Sequence, residues 1–220
     1  GGMATGANLL TNSGLLYATN GAYIGNQAGT TNNVVANSGT FISTNSTWNI
    51  GYKAAGLVTN SGSWSNSSAL NLGNSTAQGT GAIINSGNFT NSGTFVVGNV
   101  ASSGMNNYFW NTGSGYLTSS ASITVGNTGS SNTINAFTND VNASAALTGL
   151  TIGTGGSSTN QVVNNGNMTN TTFTVGNGSS GLNILSNSAN ATITNSGAFY
   201  LGNGNASTGT NMIINNGTFN

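Results

Sequence analysis

The fold is decided by the stretch Phe95-Val96-Val97-Gly98-Asn99 and by its recurrences along the chain. Apolar residues at Phe95 and Val97 alternate with a middle position, which is the period of a β-strand and places those two side chains on one face. Gly98 and Asn99 then suit a sharp corner, because both residue types tolerate a positive φ angle. The stretch therefore predicts a short strand that ends in a tight turn.

The same apolar-x-apolar-Gly motif occurs eight times, and Asn follows the glycine in most copies. Successive motif glycines are 22 to 28 residues apart, about 25 on average. A period of this length is typical of a solenoid, in which each repeat forms one coil. The predicted corner glycines are Gly25, Gly51, Gly73, Gly98, Gly126, Gly153, Gly176 and Gly202.

A second motif lies inside each period, where two apolar residues precede Asn-Ser-Gly or Asn-Asn-Gly. Ile83-Ile84-Asn85-Ser86-Gly87 is an example, and a weaker strand follows it at Asn88-Phe89-Thr90. Three short strands per period, each ending at a corner, describe a three-sided coil. We therefore predict an all-β fold: a single-stranded, right-handed parallel β-helix (β-solenoid) with about 25 residues per coil and eight to nine coils. Residues 1–220 are expected to form this one domain without a separate linker.

Other architectures fit the sequence less well. A disordered chain would lack the regularly spaced Ile, Val, Phe and Trp residues found here. A helical fold would need a 3.6-residue apolar stripe, which is missing, and would suffer from the many Gly and Asn residues. A β-propeller needs about 40 residues per blade, and a leucine-rich repeat needs its line of leucines and a helical segment.

Stacked coils place equivalent residues in columns. We expect the asparagines after the motif glycines to form a hydrogen-bonded side-chain ladder, as stacked amides do in cross-β structures. Like charges in such a column would repel and proline would remove ladder donors, which fits the near absence of both. The middle residue of each motif is expected to face solvent. The ladder residues are Asn26, Asn74, Asn99, Asn127, Asn177 and Asn203.

The region around residues 100–150 is expected to be irregular. The motif spacings are longest there, and Tyr108-Phe109-Trp110 replaces the usual apolar pair. We predict an aromatic bulge or a longer corner loop at this point.

The composition excludes several functions. Lys53 is the only basic residue and Asp140 the only acidic one, and His and Cys are absent. Catalysis by paired carboxylates, by a nucleophile and base, or at a metal site lacks the necessary groups, so we expect neither an enzyme nor a cofactor. There is no basic patch for nucleic acid, and no apolar run approaches the ~20 residues of a membrane helix.

The motifs quoted above are similar to those of secreted bacterial β-helix proteins, such as autotransporter passengers and large adhesins. The resemblance extends over nearly the whole chain, but its motifs are degenerate. It implies an extracellular or cell-surface location and a role in adhesion, biofilm or surface fibres. This chain departs from those proteins in having almost no Asp or Lys.

The leading hypothesis is a self-assembling structural protein of a fibre, a surface layer or a biofilm matrix. Neither end of the sequence shows a polar cap, so copies are expected to stack head to tail. The alternative is a binding module, in particular an adhesin segment that binds glycans through Tyr23, Tyr200 or Trp64. Ice binding through the column Thr124, Thr151 and Thr174 is a weaker form of that alternative.

Overall fold

Every regular element of the protein is a β-strand within the part of the chain that the computed structural model describes, residues 8–26, 33–75, 79–101, 104–129, 132–204 and 208–220. In chain order the strands are β1 (Leu9–Asn12), β2 (Leu15–Ala18), β3 (Tyr23–Ile24), β4 (Asn33–Asn37), β5 (Thr40–Ser43), β6 (Trp48–Ile50), β7 (Gly56–Asn60), β8 (Ser63–Asn66), β9 (Leu70–Ser75), β10 (Gly81–Asn85), β11 (Asn88–Asn91), β12 (Phe95–Ala101), β13 (Asn106–Asn111), β14 (Tyr116–Ser119), β15 (Ile123–Val125), β16 (Thr128–Gly129), β17 (Ile134–Asn139), β18 (Ser144–Ile152), β19 (Thr159–Asn164), β20 (Asn167–Val175), β21 (Leu182–Asn187), β22 (Thr192–Asn195), β23 (Phe199–Leu201), β24 (Thr210–Asn215) and β25 (Thr218–Phe219).

The strands stack in parallel as three faces of a β-solenoid. Face 1 is a sheet of nine strands, one from each coil, in the order β1-β4-β7-β10-β13-β17-β19-β21-β24. Face 2 begins with β2-β5-β8-β11-β14, and face 3 runs through β3-β6-β9-β12-β15. The predicted all-β solenoid of stacked coils, about 25 residues apart, is therefore confirmed.

Faces 2 and 3 join into one 16-stranded sheet because two strands run around their shared corner. The first half of β18 pairs with β14 of face 2, and its second half pairs with β15 of face 3. Strand β20 continues the same arrangement one coil further along. At the usual spacing of about 4.8 Å between strands, nine levels give a rod roughly 40 Å long.

The interior of the rod is filled by columns of apolar side chains. In face 3, Phe95 pairs in register with Leu70 and Ile123, and Val97 pairs with Leu72 and Val125. All of these residues are buried. Because alternate residues of each strand point inward, one short motif per coil is enough to build a continuous core.

Aromatic rings stack along the inner side of face 2. Phe41, Trp64 and Phe89 occupy equivalent positions in three successive coils, with ring centroids 5.2 and 4.6 Å apart. The indole N–H of Trp64 donates to the Ser43 hydroxyl at 3.0 Å, so its polar atom is satisfied inside the core. Trp64 is only 1% exposed.

One expectation about the surface is wrong. The middle residues of the face-3 motif do not form a solvated column, since Asn49, Asn71, Val96 and Thr174 are buried. The amides of Asn71 and Asn74 both donate to Asn49 Oδ1, so asparagine side chains lie over this face instead of leaving it open.

The irregularity expected around residues 100–150 lies in a corner and not in an aromatic bulge. Strand β13, which holds Tyr108, Phe109 and Trp110, pairs in unbroken register with β10 and β17. Phe109 points into the core, where it contacts Phe137. The turn 112–115 between β13 and β14 and the turn 140–143 between β17 and β18 are each two residues longer than the same turn in the earlier coils.

Candidate functional site

The most continuous polar feature is a ladder of asparagines at the corner between faces 1 and 2. Each face-1 strand ends in an asparagine, and each of these amides donates from Nδ2 to Oδ1 of its counterpart in the next coil, at 2.6 to 2.9 Å. We call this column the first-corner ladder. Its members are Asn12, Asn37, Asn60, Asn85, Asn111, Asn139, Asn164, Asn187 and Asn215.

Backbone carbonyl groups orient these amides. Asn60 Nδ2, for example, also donates to the carbonyl oxygens of Gly62 at 3.3 Å and Asn88 at 3.0 Å. Acceptors on the protein backbone thus fix which end of each amide carries the nitrogen. All the ladder amides consequently point their donors toward the C-terminal end of the rod, and the bonded amides polarise one another in the same direction.

A second ladder follows the corner between faces 3 and 1, four residues before the first in each strand that carries it. Asn107 donates to Asn135 at 3.1 Å, and the column continues to Asn160 and Asn183 at 2.9 Å for each step. Asn183 then donates to Asn211 at 2.8 Å. Gly56 and Gly81 occupy the equivalent positions in two earlier coils, where the column is interrupted.

Five of the eight motif glycines lie directly against an amide of this second ladder: Gly73, Gly98, Gly126, Gly153 and Gly176. All eight have a positive φ, between 64 and 80°. A Cβ added at Gly98 would also lie 1.9 Å from Oδ1 of Asn135, and one at Gly126 would lie 1.8 Å from Oδ1 of Asn160. At these positions glycine is required for two reasons: the backbone has a positive φ angle, and an amide of the ladder occupies the space of a side chain.

The asparagines after the motif glycines form a shorter ladder on the outside of the rod. Asn127 donates to Asn99, and Asn99 donates to Asn74, at 2.8 Å for each bond. The hydroxyl of Thr154 extends it with a bond to Asn127 Oδ1 at 2.8 Å. The remaining predicted members are exposed, and no hydrogen bond among the described residues joins them to this column; they are Asn26, Asn177 and Asn203.

A mixed column under face 2 shows what happens when one amide is replaced. Asn66 donates to Asn91 at 2.8 Å, and Asn91 donates to the Ser119 hydroxyl at 3.1 Å. Leu147 follows in register and has no donor to offer. The next residue in the column is Asn170, whose Oδ1 is buried without a hydrogen-bond partner in the described structure.

The two charged residues lie apart from these ladders, in different coils. Lys53 is exposed and its Nζ lies 5.7 Å from the centroid of the Tyr52 ring. Asp140 accepts hydrogen bonds from the backbone N–H of Val141 at 2.9 Å and from the Thr112 hydroxyl at 3.3 Å. The described residues contain no cluster of three His, Cys, Asp or Glu side chains that would hold a metal ion. They also contain no helix long and apolar enough to span a membrane.

The proposed ligand-binding residues do not form one surface. Trp64 is in the core, so its prediction as a glycan platform is wrong. Tyr23 and Tyr200 are exposed, but they lie in the first and the last strand of face 3, at opposite ends of the rod. In the predicted ice-binding column, Thr124 and Thr151 are half-buried and Thr174 is only 7% exposed.

Comparison with known proteins adds no relative, since no protein-family model, curated protein or solved structure matches the chain. The fold and the ladders define its class: a β-solenoid held by internal columns of asparagine amides. The first-corner ladder is not among the predicted columns, because an asparagine before Ser-Gly is also typical of a turn. The available signal was that this asparagine recurs in every coil, whereas the residue after it varies between Ser, Thr, Asn and Asp.

Proposed function

We propose that the chain is a structural protein whose rods stack end to end into an extracellular fibre, a surface layer or a biofilm matrix. The proposal assigns it no catalytic activity, because one lysine and one aspartate in different coils supply no acid–base pair. The observation that carries the proposal is the direction of the first-corner ladder. It runs unbroken through all nine levels and presents different groups at its two ends.

The ends of that ladder are complementary. Asn215 accepts from Asn187 through Oδ1, and its Nδ2 points onward with no partner among the described residues. At the other end, the one hydrogen bond that Asn12 Oδ1 accepts from a described residue is a long one, from the backbone N–H of Gly14 at 3.3 Å. A second rod stacked in the same direction would therefore receive the Asn215 donor at its own Asn12, and the ladder would continue between copies.

The first and last coils also match in register. Asn12-Ser13-Gly14-Leu15-Leu16 and Asn215-Asn216-Gly217-Thr218-Phe219 have the same spacing of asparagine, glycine and inward apolar residue. Stacking in this register would pair the strands of faces 1 and 2 directly. Such a contact joins different surfaces on the two copies, and it therefore adds rods in a line without closing a ring.

Apolar side chains at both ends favour the same contact. Leu10 occupies an inward column but is 47% exposed, because the described chain places no strand above it. Leu201 occupies an inward column at the other end and is 55% exposed. Covering these residues with the next rod removes apolar surface from water and pairs open strand edges.

Electron microscopy of the purified chain at rising concentration tests the proposal. We expect rods that lengthen in steps of roughly 40 Å, the length of one copy. Leu10→Lys should block one end and Ile213→Lys the other, because a buried lysine at the contact would lose its hydration. Each variant alone should stay short, and an equimolar mixture should form dimers and nothing longer, since each copy keeps one open end. Thr90→Lys, on the exposed side of face 2, is the matched control and should elongate like the unmodified chain.

The result that would overturn the proposal is a population of single 40 Å rods at every concentration, a length that follows from nine strands about 4.8 Å apart. Elongation by the Leu10→Lys variant, with its fold intact by circular dichroism, would also contradict end-to-end stacking. The extracellular location rests on the resemblance of the repeats to secreted bacterial proteins, and it is tested separately. Antibody should label intact source cells or their matrix, and labelling only after lysis would count against it.

Glycan binding is the second candidate, and one observation favours it. The outward residues of face 2 are mostly uncharged hydroxyls and amides, and Tyr116 lies among them at 46% exposure. Rows of polar side chains beside an exposed aromatic ring can bind a carbohydrate through hydrogen bonds and ring stacking. A glycan array probed with the chain and with Tyr116→Ala tests this, and the absence of any signal from the unmodified chain would remove the candidate.

A further inference from the structure

The outer surface of face 1 is mostly apolar along the length of the rod. Each face-1 strand has at least two positions on the outer side of the sheet, and the two nearest the first corner form columns parallel to the rod axis; all of their members except Ala82 are exposed or half-buried. One column is Leu9, Val34, Leu57, Ala82, Tyr108, Ala136, Gln161, Ile184 and Met212. The other is Thr11, Ala36, Thr59, Ile84, Trp110, Thr138, Val163, Ser186 and Ile214. We call these two columns the apolar face.

The opposite character of face 2 shows that this is not a general property of the chain. Outward positions there are mostly Ser, Thr and Asn, as at Ser63, Ser65, Thr90 and Thr169. The apolar face instead carries large exposed side chains, including Trp110 at 40% and Ile214 at 40%. A mostly apolar, uncharged surface that runs the length of the rod marks an interaction surface.

Nothing on the apolar face opposes contact with another sheet. A charged side chain on the face of a sheet would oppose packing against a second sheet, because it would lose its hydration. Neither Lys53 nor Asp140 belongs to the two columns. The face is also uncharged throughout, so a second copy meets no like-charge repulsion.

The surface shape of the apolar face is complementary to itself, because a coil with large outward side chains lies next to one with small outward side chains. Tyr108 and Trp110 project from the central coil, and the outward residues of the next coil, Ala136 and Thr138, are smaller. If a twofold axis parallel to the strands passes between these two coils, the aromatic pair of one copy lies over the smaller pair of the other. The same operation places Ile84 opposite Val163, so apolar residues also meet further out.

We propose that the apolar face packs against the apolar face of a second copy, with the two rods antiparallel. The contact is a sheet-on-sheet packing with about 10 Å between the sheets, as in a β-sandwich. The face is roughly 40 Å long and about 13 Å wide, from the strand spacing and the rise of four residues. Pairing would bury ~1,000 Å² in total, which is at the lower limit of a specific interface and predicts reversible dimers.

This inference concerns a different surface from the end-to-end contact, and each can fail without the other. If both hold, the lateral contact makes a fibre of paired rods. Each rod added to a fibre adds another weak lateral contact at high effective concentration, so a long pair of fibres separates far more slowly than two single rods. Lateral pairing would then give the assembly its thickness and its resistance to dissociation.

Sedimentation velocity on the full chain tests the lateral contact. The end-blocked variant Leu10→Lys is used as the background, so that any association that remains is lateral. We expect a concentration-dependent dimer in the micromolar range that is more compact than two rods in line. Adding Ile84→Lys and Val163→Lys should abolish the dimer over the same range, because four lysines would then face one another across the contact. The control adds Thr90→Lys and Thr169→Lys on face 2 and should leave dimerisation unchanged.

A distance measurement identifies the contact independently. The chain has no cysteine, so Thr138→Cys provides a single site for a spin label near the proposed twofold axis. We expect an intermolecular distance below roughly 25 Å, given sheets about 10 Å apart and labels on both sides. Thr118→Cys on face 2 should give a longer distance or none. A monomer at every concentration, or a dimer that survives the lysines on the apolar face, would overturn the proposal.

Discussion

Each buried asparagine amide in this rod both fills space and satisfies the hydrogen-bond donors and acceptors of its neighbours. Asn139 accepts from Asn111, donates to Asn164 and donates to the backbone carbonyl of Asn167, all at 2.9 Å. An apolar residue of the same size would leave the neighbouring amides unpaired, which costs about 1–3 kcal/mol for each buried group. The amide is therefore tied to its column, and the column determines which residues can stand beside it.

Glycine at the motif corner is the clearest case, and Gly98→Ala tests it. The new Cβ would meet Oδ1 of Asn135 at 1.9 Å, in addition to the cost of an alanine at φ +80°. Gly113 has φ +59° and no atom within 4 Å of the position of a Cβ, so Gly113→Ala measures the backbone cost alone. We expect a loss of about 1–2 kcal/mol in the free energy of unfolding for Gly113→Ala, and about 2 kcal/mol more for Gly98→Ala because an amide of the ladder is displaced. Urea denaturation measures both, and equal losses would show that the ladder contact contributes nothing.

The corner glycines illustrate what the sequence can and cannot disclose. Their period and their positive φ follow from the motif itself, because a strand that must turn after Val97 needs a residue that tolerates that angle. The contact with Asn135 does not follow, since it joins residues 37 positions apart across stacked coils. The prediction that Trp64 lies at a glycan-binding surface is wrong for a related reason. Its place after Asn-Ser-Gly predicts a strand, but only the stacking with Phe41 and Phe89 shows that the ring faces inward.

A ladder behaves as a chain of dependent bonds, and the column under face 2 allows this to be measured. Asn91 accepts from Asn66 and donates to Ser119, whereas Asn170 follows Leu147 and its Oδ1 has no donor among the described residues. We expect Asn91→Leu to lower the free energy of unfolding by about 3 kcal/mol, because it removes the hydrogen bonds of Asn91 to Asn66, to Ser119 and to the Gly93 carbonyl. Asn170→Leu should cost about 1 kcal/mol or less, since one of its polar atoms is already unpaired.

Chemical denaturation of these two variants is a matched comparison, because the residue type, the substitution and the column are the same. Equal losses would mean that the amides act independently and that the ladder adds no cooperativity. The sequence alone could not rank the two sites, because Asn91 and Asn170 each follow an alternating strand. The difference arises from Leu147, which interrupts the column one coil before Asn170.

The whole rod is stabilised almost without ionic groups, and its response to pH and salt should show this. One carboxyl group and one amine are the only side chains besides the tyrosines that can change protonation. Stability depends on pH only through groups that bind protons differently in the folded and unfolded states, so the thermal midpoint should move by less than ~3 °C between pH 5 and 9. Scanning calorimetry over this pH range, with and without 0.5 M NaCl, measures both effects. At that ionic strength the Debye length is about 5 Å, so interactions between exposed charges that are further apart are largely screened. A shift of more than about 10 °C would reveal an electrostatic contribution that the composition does not account for.

Repetition also predicts that the rod tolerates the loss of a complete coil but not of half a coil. Deletion of residues 140–164 joins Asn139 to Asn165-Gly166 and brings Asn139 into register with Asn187, so every ladder stays in phase. Each coil contacts only its neighbours, and the shortened chain should therefore fold cooperatively into a rod about 4.8 Å shorter. Deletion of residues 140–151 removes about half a coil and leaves only Ile152 of the face-3 strand, so that the face-1 strand β17 is followed by the corner that leads to the next face-1 strand, β19. Inward and outward positions then no longer match the neighbouring coils, so the core cannot close. Circular dichroism and urea titration of the two deletions distinguish these outcomes. If both fold, stability does not depend on the alignment of the asparagine columns; if neither folds, the coils are not interchangeable units.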